Sequence, residues 1–348
     1  MRPVAVVAFA QTRHKGEDAG LSETELLAPV ITEIKRRTGV TRFGFTCSGS
    51  NDYLVGAPFS FVSALDAVGA WPPISESHVE MDAAWALYEA WVKLQHGEID
   101  TALVYGFGKT SQSSYPEVFT QGLDPYYLAP LGVDQVSLAA LQARAYLERT
   151  GTDERRLRAV ASRARTDGRA NPSALHLDDP GDAEPYEVAP LRPHDVAPVT
   201  DGAAAIVLAA GDKARELAGR PAWITGIDHR SEPHQPGFRD LTSSPSTRLA
   251  AAKAGGTGGV EVAELHTQFS HEELILRDAL DLGDGVAVNP SGGPLAANPV
   301  MATGLIRVGE AAARILDGTA GRVLAHATSG PCLQQNLVCV MSGERSDG

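Results

Sequence analysis

ESHVEMDAAWALYEAWVKLQHGEID, residues 76–100, is the stretch around which the rest of the chain is read. Ser77 followed three residues later by Glu80 has the form of a capping box, which sets the helix N-terminus at Ser77 and its first turn across His78, Val79 and Glu80. Small residues (Ala83, Ala84, Ala86, Ala90) then alternate with Trp85, Leu87, Tyr88, Trp91 and Leu94, a pattern that suits a helix packed on most sides. Gly97 stops it, and TALVYGFG (101–108) supplies an apolar strand. A helix N-terminus facing a cleft favours an anion or a thiolate, so the residues at this start bear on the chemistry.

Working outward, strands alternate with helices. PVAVVAFAQT (3–12) reads as a buried strand, Ser22 with Glu25 as a second capping box before ELLAPVITEIKRR, and GFTCSGSNDY (44–53) as a strand ending in turn residues. From about 111 to 198 the pattern loosens into turn formers and aromatics, with two helices at Asp134–Arg149 and Asp153–Gly168, as expected of a cap inserted in a core fold. TDGAAAIVLAA (200–210) closes a first half, residues 1–212, and PAWITGIDHR (221–230) opens a second, residues 213–348. In that half VEVAELHTQFSHEELILRDAL runs strand, loop, helix, with Ser270 and Glu273 as a third capping box. The chain is thus an α/β protein with a mostly parallel central sheet and two halves of similar plan.

With 348 residues, 43% of them hydrophobic, the chain can bury a large core. A net charge of -13 argues against nucleic acid, which needs a positive footprint. The densest basic run, Arg155 to Arg169, can hold an anionic ligand or form a solvated helix face. Cys47, Cys332 and Cys339 fall in no metal-ligand spacing and suggest no disulfide framework. Together with the lack of a signal peptide or a long apolar run, they point to the cytoplasm and away from a membrane.

VNPSGG (288–293) followed by PVMATGLIRVGEAAARIL resembles the thiolase stretch in which Asn-Pro-x-Gly-Gly precedes Gly-His-Pro and a Gly-Ala-Thr-Gly helix start. ELHTQFS (264–270) resembles the His-Asp-Cys-Phe loop of the sterol carrier protein type of thiolase, and TDGAAAIVLA its Ser-Asp-Gly-Ala-Ala strand. More narrowly, CSGSNDY, GAWPPISESHVEMD, ALYEAWVKL and LDPYYLAPL are similar to the actinobacterial thiolase-like lipid transfer proteins of sterol side-chain degradation. The resemblance implies a five-layered αβαβα thiolase fold with a loop domain between its halves, a dimer through the thiolase interface, and no cofactor beyond the coenzyme A of the substrate. It also implies a steroid side-chain thioester as substrate, with a second thiolase-like subunit and an OB-fold acyl-CoA-binding protein as partners.

The departures from the family matter as much. Its nucleophilic cysteine falls at Glu80 here, its loop cysteine at Gln268, and the histidine of Gly-His-Pro at Asn298. Without a nucleophile the acyl-transfer route of a thiolase is closed, whereas a retro-aldol cleavage needs only a base and donors around an oxyanion. His266 is then the base or an oxyanion donor, Asn298 a second donor, and the backbone near Gly292 and Gly293 shapes the pocket. The competing role for His266 is a bond to neighbouring backbone. Aldolase relatives carry tyrosines at the His266 and Asn298 positions. Glu80 is either a buried base or a cap, and His78 and Asp82 share its helix start. Cys332, in GPCLQQN, is a pocket residue or a small buried one. The expectation is an aldol-lyase acting on a β-hydroxyacyl thioester; a silent subunit that stabilises an active partner is the alternative, and an acyl-CoA thiolase the third.

Overall fold

The structure, a computed structural model, describes residues 1–14, 16, 20–69, 74–181 and 184–345. Residues 70–73 of GAWPPISESHVEMD therefore lie outside the described residues.

In chain order the elements are β1 (Val4–Gln11), α1 (Glu23–Thr38), β2 (Phe45–Gly49), α2 (Asp52–Val55), α3 (Phe61–Val68), β3 (Glu76–Val79), α4 (Ala83–Gln95) and β4 (Thr101–Gly108). Next come α5 (Tyr115–Gln121), α6 (Gln135–Thr150), α7 (Glu154–Gly168), β5 (Gly202–Ala210), α8 (Asp212–Leu217), β6 (Ala222–Ser231), α9 (Pro245–Lys253) and β7 (Val262–Leu265). The last are α10 (Ser270–Leu280), β8 (Ala287–Val288), α11 (Thr303–Leu316), β9 (Arg322–Ser329) and β10 (Gln335–Ser342).

Among the described residues, hydrogen bonding runs through ten strands in the order β3-β2-β4-β5-β1-β6-β10-β9-β7-β8. Counting strands afresh from β6, the second five repeat the order of the first five in mirror sequence. The halves meet where β1 and β6 run antiparallel over only two residue pairs, Ala5 with Trp223 and Val6 with Ala222. The sheet is mixed rather than mostly parallel: β4–β5, β1–β5, β6–β10 and β9–β10 are antiparallel, while β2 pairs parallel with β3 and β4 and β7 with β8 and β9.

The side-chain alternation of the strands sorts residues into layers. Along β5, Ala204, Ile206 and Leu208 join one apolar cluster with α4 and α11, while Ala203, Ala205 and Val207 face α1 and α3 in another. Along β10, Leu337, Cys339 and Met341 face α4 and α11, and Val338 and Val340 face α9 and α10. This gives five layers, α1/α3, sheet, α4/α11, sheet, α9/α10. The insertion between β4 and β5 sets α6 and α7 against α10, through Ala143, Leu157, Ile275 and Leu276.

Close packing explains the alanines of α4. A Cβ on Gly49 would lie 2.5 Å from the Ala83 Cα, and one on Gly106 2.5 Å from the Ala83 Cβ, so only glycine on β2 and β4 lets the helix start come down onto the sheet.

Two expected helix starts are corrected. Ser77 begins no helix: Glu76–Val79 is an edge strand paired with Thr46–Gly49, and α4 starts at Ala83, capped by Asp82. A cross-strand ladder satisfies four residues at once, which outweighs one local capping box. At α10 the cap is Phe269 and the glutamate that reaches back is Glu272, whereas Ser270 donates to Asp195 and Glu273 pairs with Arg163 and Arg277. Ser22 and Glu25 do form their box.

Candidate active site

The start of α4, the β7–α10 loop, the β9–β10 turn and α5 of the insertion converge on a chamber of about 210 Å³. Asp82, Tyr115, His266, Gln268, Glu272 and Cys332 supply its polar wall; Leu54, Phe119, Leu123 and Val300 supply much of the apolar one. None of its described lining residues is a lysine or arginine.

His266 follows β7 directly and is buried. Its Nδ1 accepts the backbone N–H of Thr328 at 3.3 Å, which leaves the ring proton on Nε2. The Gln268 amide nitrogen stands 3.4 Å from that Nε2; being a donor itself, it accepts nothing from the ring N–H. Burial, with His326 and Arg307 nearby, holds the imidazole well below its usual range. At neutral pH His266 is therefore an uncharged donor rather than a vacant base.

Asp82, 2% exposed, accepts the N–H groups of Ala84 at 2.8 Å, Gly304 at 2.8 Å and Leu305 at 3.2 Å, so its carboxylate caps α4 and α11 together. Burial raises it to about 7 against the pull of those donors and of Arg307. Glu272, on the first turn of α10, is also buried, and its Oε2 accepts from the backbone of Gln268 at 2.7 Å and Phe269 at 3.2 Å. Burial pushes it up to about 8. Tyr115 is raised to about 12 by burial, despite a bond to the Gln268 side chain.

Cys332 lines the chamber with its thiol near the Leu138 carbonyl at 3.5 Å, and burial pushes it up to about 12. Its backbone is left-handed at φ 53°, as is that of Met301 at φ 78°, another lining residue. Two non-glycine residues in that conformation on one cavity wall mark a place where backbone strain is tolerated, and such places concentrate at functional sites.

Other expected site residues lie elsewhere. Glu80 is exposed and its Oε1 accepts the Asp52 N–H at 2.6 Å, so it caps the short α2. His78 bonds Ser48 Oγ at 3.1 Å and stacks on Phe61 at 4.6 Å. Both border a separate surface cleft of about 700 Å³ with Tyr53 and Phe59. Asn298 is not among the lining residues; its Oδ1 accepts from Thr303 Oγ1 at 2.7 Å, which braces the start of α11. Gly292 and Gly293 have φ of 91° and 60° and form the turn that lets α7 approach, since a Cβ on Gly292 would lie 2.7 Å from the Gly168 Cα. Neither is among the residues that line the chamber, and the preceding Ser291 bonds the buried pair Glu264–Arg307. Within the basic run of α7, Arg158 bonds the Pro180 carbonyl, Arg165 the Asp178 carbonyl and Arg169 pairs with Asp179, while the Arg155 side chain faces solvent.

Sequence reading passed over Glu272 and Tyr115. The signal was present for Glu272, since HEEL places two glutamates in one turn; helical register alone decides which one faces the chamber.

The human mitochondrial 3-ketoacyl-CoA thiolase superposes over 98% of this chain and 99% of its own with a TM-score of 0.80, at 14% identity. The fold is that of the thiolases. A chain of the Ltp2-ChsH2(DUF35) aldolase superposes as well on this thiolase-fold protein, with a TM-score of 0.80 over 99% of this chain and 98% of that one, at 18% identity. By sequence, the acetyl-CoA acetyltransferase of Methanothermobacter thermautotrophicus is 28% identical over 72% of this chain and 73% of its own. The 17-hydroxy-3-oxo-4-pregnene-20-carboxyl-CoA lyase of Mycobacterium tuberculosis is 25% identical over 84% of this chain and 86% of its own. No protein-family model matches. Together these likenesses support membership of the thiolase superfamily. Among the described residues, no helix is long and apolar enough to cross a membrane.

Proposed function

We propose that this protein is an aldol-lyase that cleaves the carbon–carbon bond of a β-hydroxyacyl-coenzyme A thioester, its acyl part carried on a steroid. The observation that carries the reading is the neutral His266, whose Nε2–H is a preset donor at the chamber wall. In a retro-aldol step negative charge moves onto the thioester oxygen as the carbon–carbon bond breaks. An uncharged donor stabilises that oxyanion without having to lose a proton first.

The thiolase alternative is disfavoured by the cysteines. Cys47 and Cys339 are buried in the core among α4 and the strands, and Cys332, in the chamber, is held as the thiol. The lyase of M. tuberculosis and the solved aldolase lend the reading its substrate class. The same aldolase, with its DUF35 component, suggests a partner for this chain, which we take to be a small OB-fold acyl-CoA-binding protein. A second thiolase-like subunit would dock along the outer edge of β3, the last strand of the sheet, next to exposed Tyr53 and Phe59. The working compartment in this reading is the cytoplasm.

One observation favours a silent, stabilising subunit instead: of His266, Asn298 and Glu80, only His266 reaches the chamber. A single experiment separates the two. The chain is co-expressed with its thiolase-like and OB-fold partners, and the assembly is assayed for ketone or aldehyde release from a β-hydroxy steroid thioester, with wild-type chain and with His266→Ala. Turnover lower by about 10²- to 10³-fold with the assembly intact is expected. Unchanged turnover would make the chain a scaffold.

A further inference from the structure

A chamber of this kind needs a proton acceptor, and His266 does not serve, because its Nδ1 is occupied by the Thr328 N–H and its Nε2 carries the proton. Two carboxyl groups remain on the wall. Asp82 has both oxygens engaged, Oδ1 by Ala84 and Leu305 and Oδ2 by Gly304, and each bond holds a helix start. Glu272 differs. Backbone donors meet only its Oε2, and its Oε1 accepts no hydrogen bond from a described residue. No lysine or arginine among the described lining residues compensates it. The titratable neighbours that share its chamber are His266 from the β7 end, Tyr115 from α5, Asp82 from the α4 start and Cys332 from the β9–β10 turn. The arginines near α10, Arg163 and Arg277, are spent on Glu273.

A carboxylate buried without a cation is costly, and capping does not demand one here, since serine or asparagine at position 269 would cap as well. We infer that Glu272 is the catalytic base: its Oε1 takes the proton of the substrate β-hydroxyl as the carbon–carbon bond breaks. The oxygen lone pair becomes the new carbonyl, the bonding pair passes to the thioester as an enolate held by His266, and the protonated Glu272 returns its proton to the enolate carbon. Ketone or aldehyde and a shortened acyl thioester leave, and the glutamate is regenerated with no other reactant. The upward shift to about 8 suits this work, because such a base is matched to the operating pH.

The assignment rests on the retro-aldol reading and is tested within the same assembly, by Glu272→Gln and Glu272→Asp. Glutamine keeps an oxygen for the Gln268 and Phe269 N–H groups, so the fold and KM stay as they are while kcat falls by about 10²- to 10⁴-fold. The wild-type kcat rises with pH through a limb near pH 8, and that limb is missing from the residual activity of Glu272→Gln. Aspartate, one methylene shorter, restores part of the rate. A glutamine variant within about threefold of an active wild type overturns the assignment and leaves the retro-aldol reading standing. Wild type that releases no carbonyl product removes the reading, and this assignment with it.

Discussion

Asp82 Oδ2 accepts the Gly304 N–H at 2.8 Å across 222 residues of sequence. One side chain thereby fastens the start of α4 in the first half to the start of α11 in the second, in the layer both halves share. Gly304 has no room for a side chain, since a Cβ there would lie 2.5 Å from Asp82 Oδ1. Asp82→Ala strands three buried N–H groups and is expected to cost about 3–5 kcal/mol in urea unfolding. Asp82→Asn, which keeps one oxygen, costs less. Because Gly304→Ala breaks the same joint, the double mutant with Asp82→Ala costs less than the sum of the two single variants in a double-mutant cycle.

The Glu264–Arg307 pair is buried at 2.6 Å behind His266. Arg307→Met leaves a bare carboxylate in the core and should destabilise by about 3–5 kcal/mol. Removing the charge as well, in Glu264→Gln with Arg307→Met, recovers much of that loss. Denaturant midpoints of the two variants decide the point; equal midpoints would show that the pair is not coupled.

Cys332, held as the thiol up to about 12, carries almost no thiolate at neutral pH. Cys332→Ala keeps carbon–carbon cleavage within a few-fold, and iodoacetamide at pH 7 leaves the wild-type rate unchanged over a period that alkylates a free thiol fully. Fast inactivation would bring back the thiolase reading.

Acid should weaken the fold through its buried imidazoles. His271, His326 and His14 are lowered to about 3, 4 and 4 by burial, so the folded state keeps them neutral while the unfolded chain binds protons near 6.5. The stability they contribute is full above pH 6.5 and is lost as pH falls towards 4. His271→Gln, with one such group removed, shows a flatter fall of the urea midpoint over that window. A slope identical to wild type would exclude His271 as a contributor.

The carboxyl groups act in the opposite sense. Asp82 and Glu272, raised to about 7 and about 8, favour the fold most below their unfolded values and lose that contribution as pH rises through 7 to 8. Melting temperature therefore declines from pH 6.5 to 8.5, and Glu272→Gln reduces the decline. A wild-type melting temperature flat over this range would mean that neither carboxyl is shifted.

Local pattern was enough to specify much of the chain. The Ser22–Glu25 box, the caps Asp134 and Asp153, and apolar runs such as TALVYGFG announce elements whose stabilising contacts lie within a few residues or repeat with a fixed period. NPSGG and TDGAAA carried the likeness to thiolases, because a turn that needs two left-handed glycines admits few sequences. Tertiary structure decided the rest. Ser77 and Glu80 satisfy a capping box on paper, yet the partner that claims this segment is β2, some thirty residues earlier. Asp82 rather than Glu80 reaches the chamber because the helix begins at Ala83, and Glu272 rather than Glu273 because α10 turns one residue earlier than its serine suggests. Asn298, close in sequence to the NPSGG turn, is drawn off to Thr303. Residue types and periods settle which elements form; which side chains share a cavity depends on register and on contacts between distant segments, which local sequence does not encode.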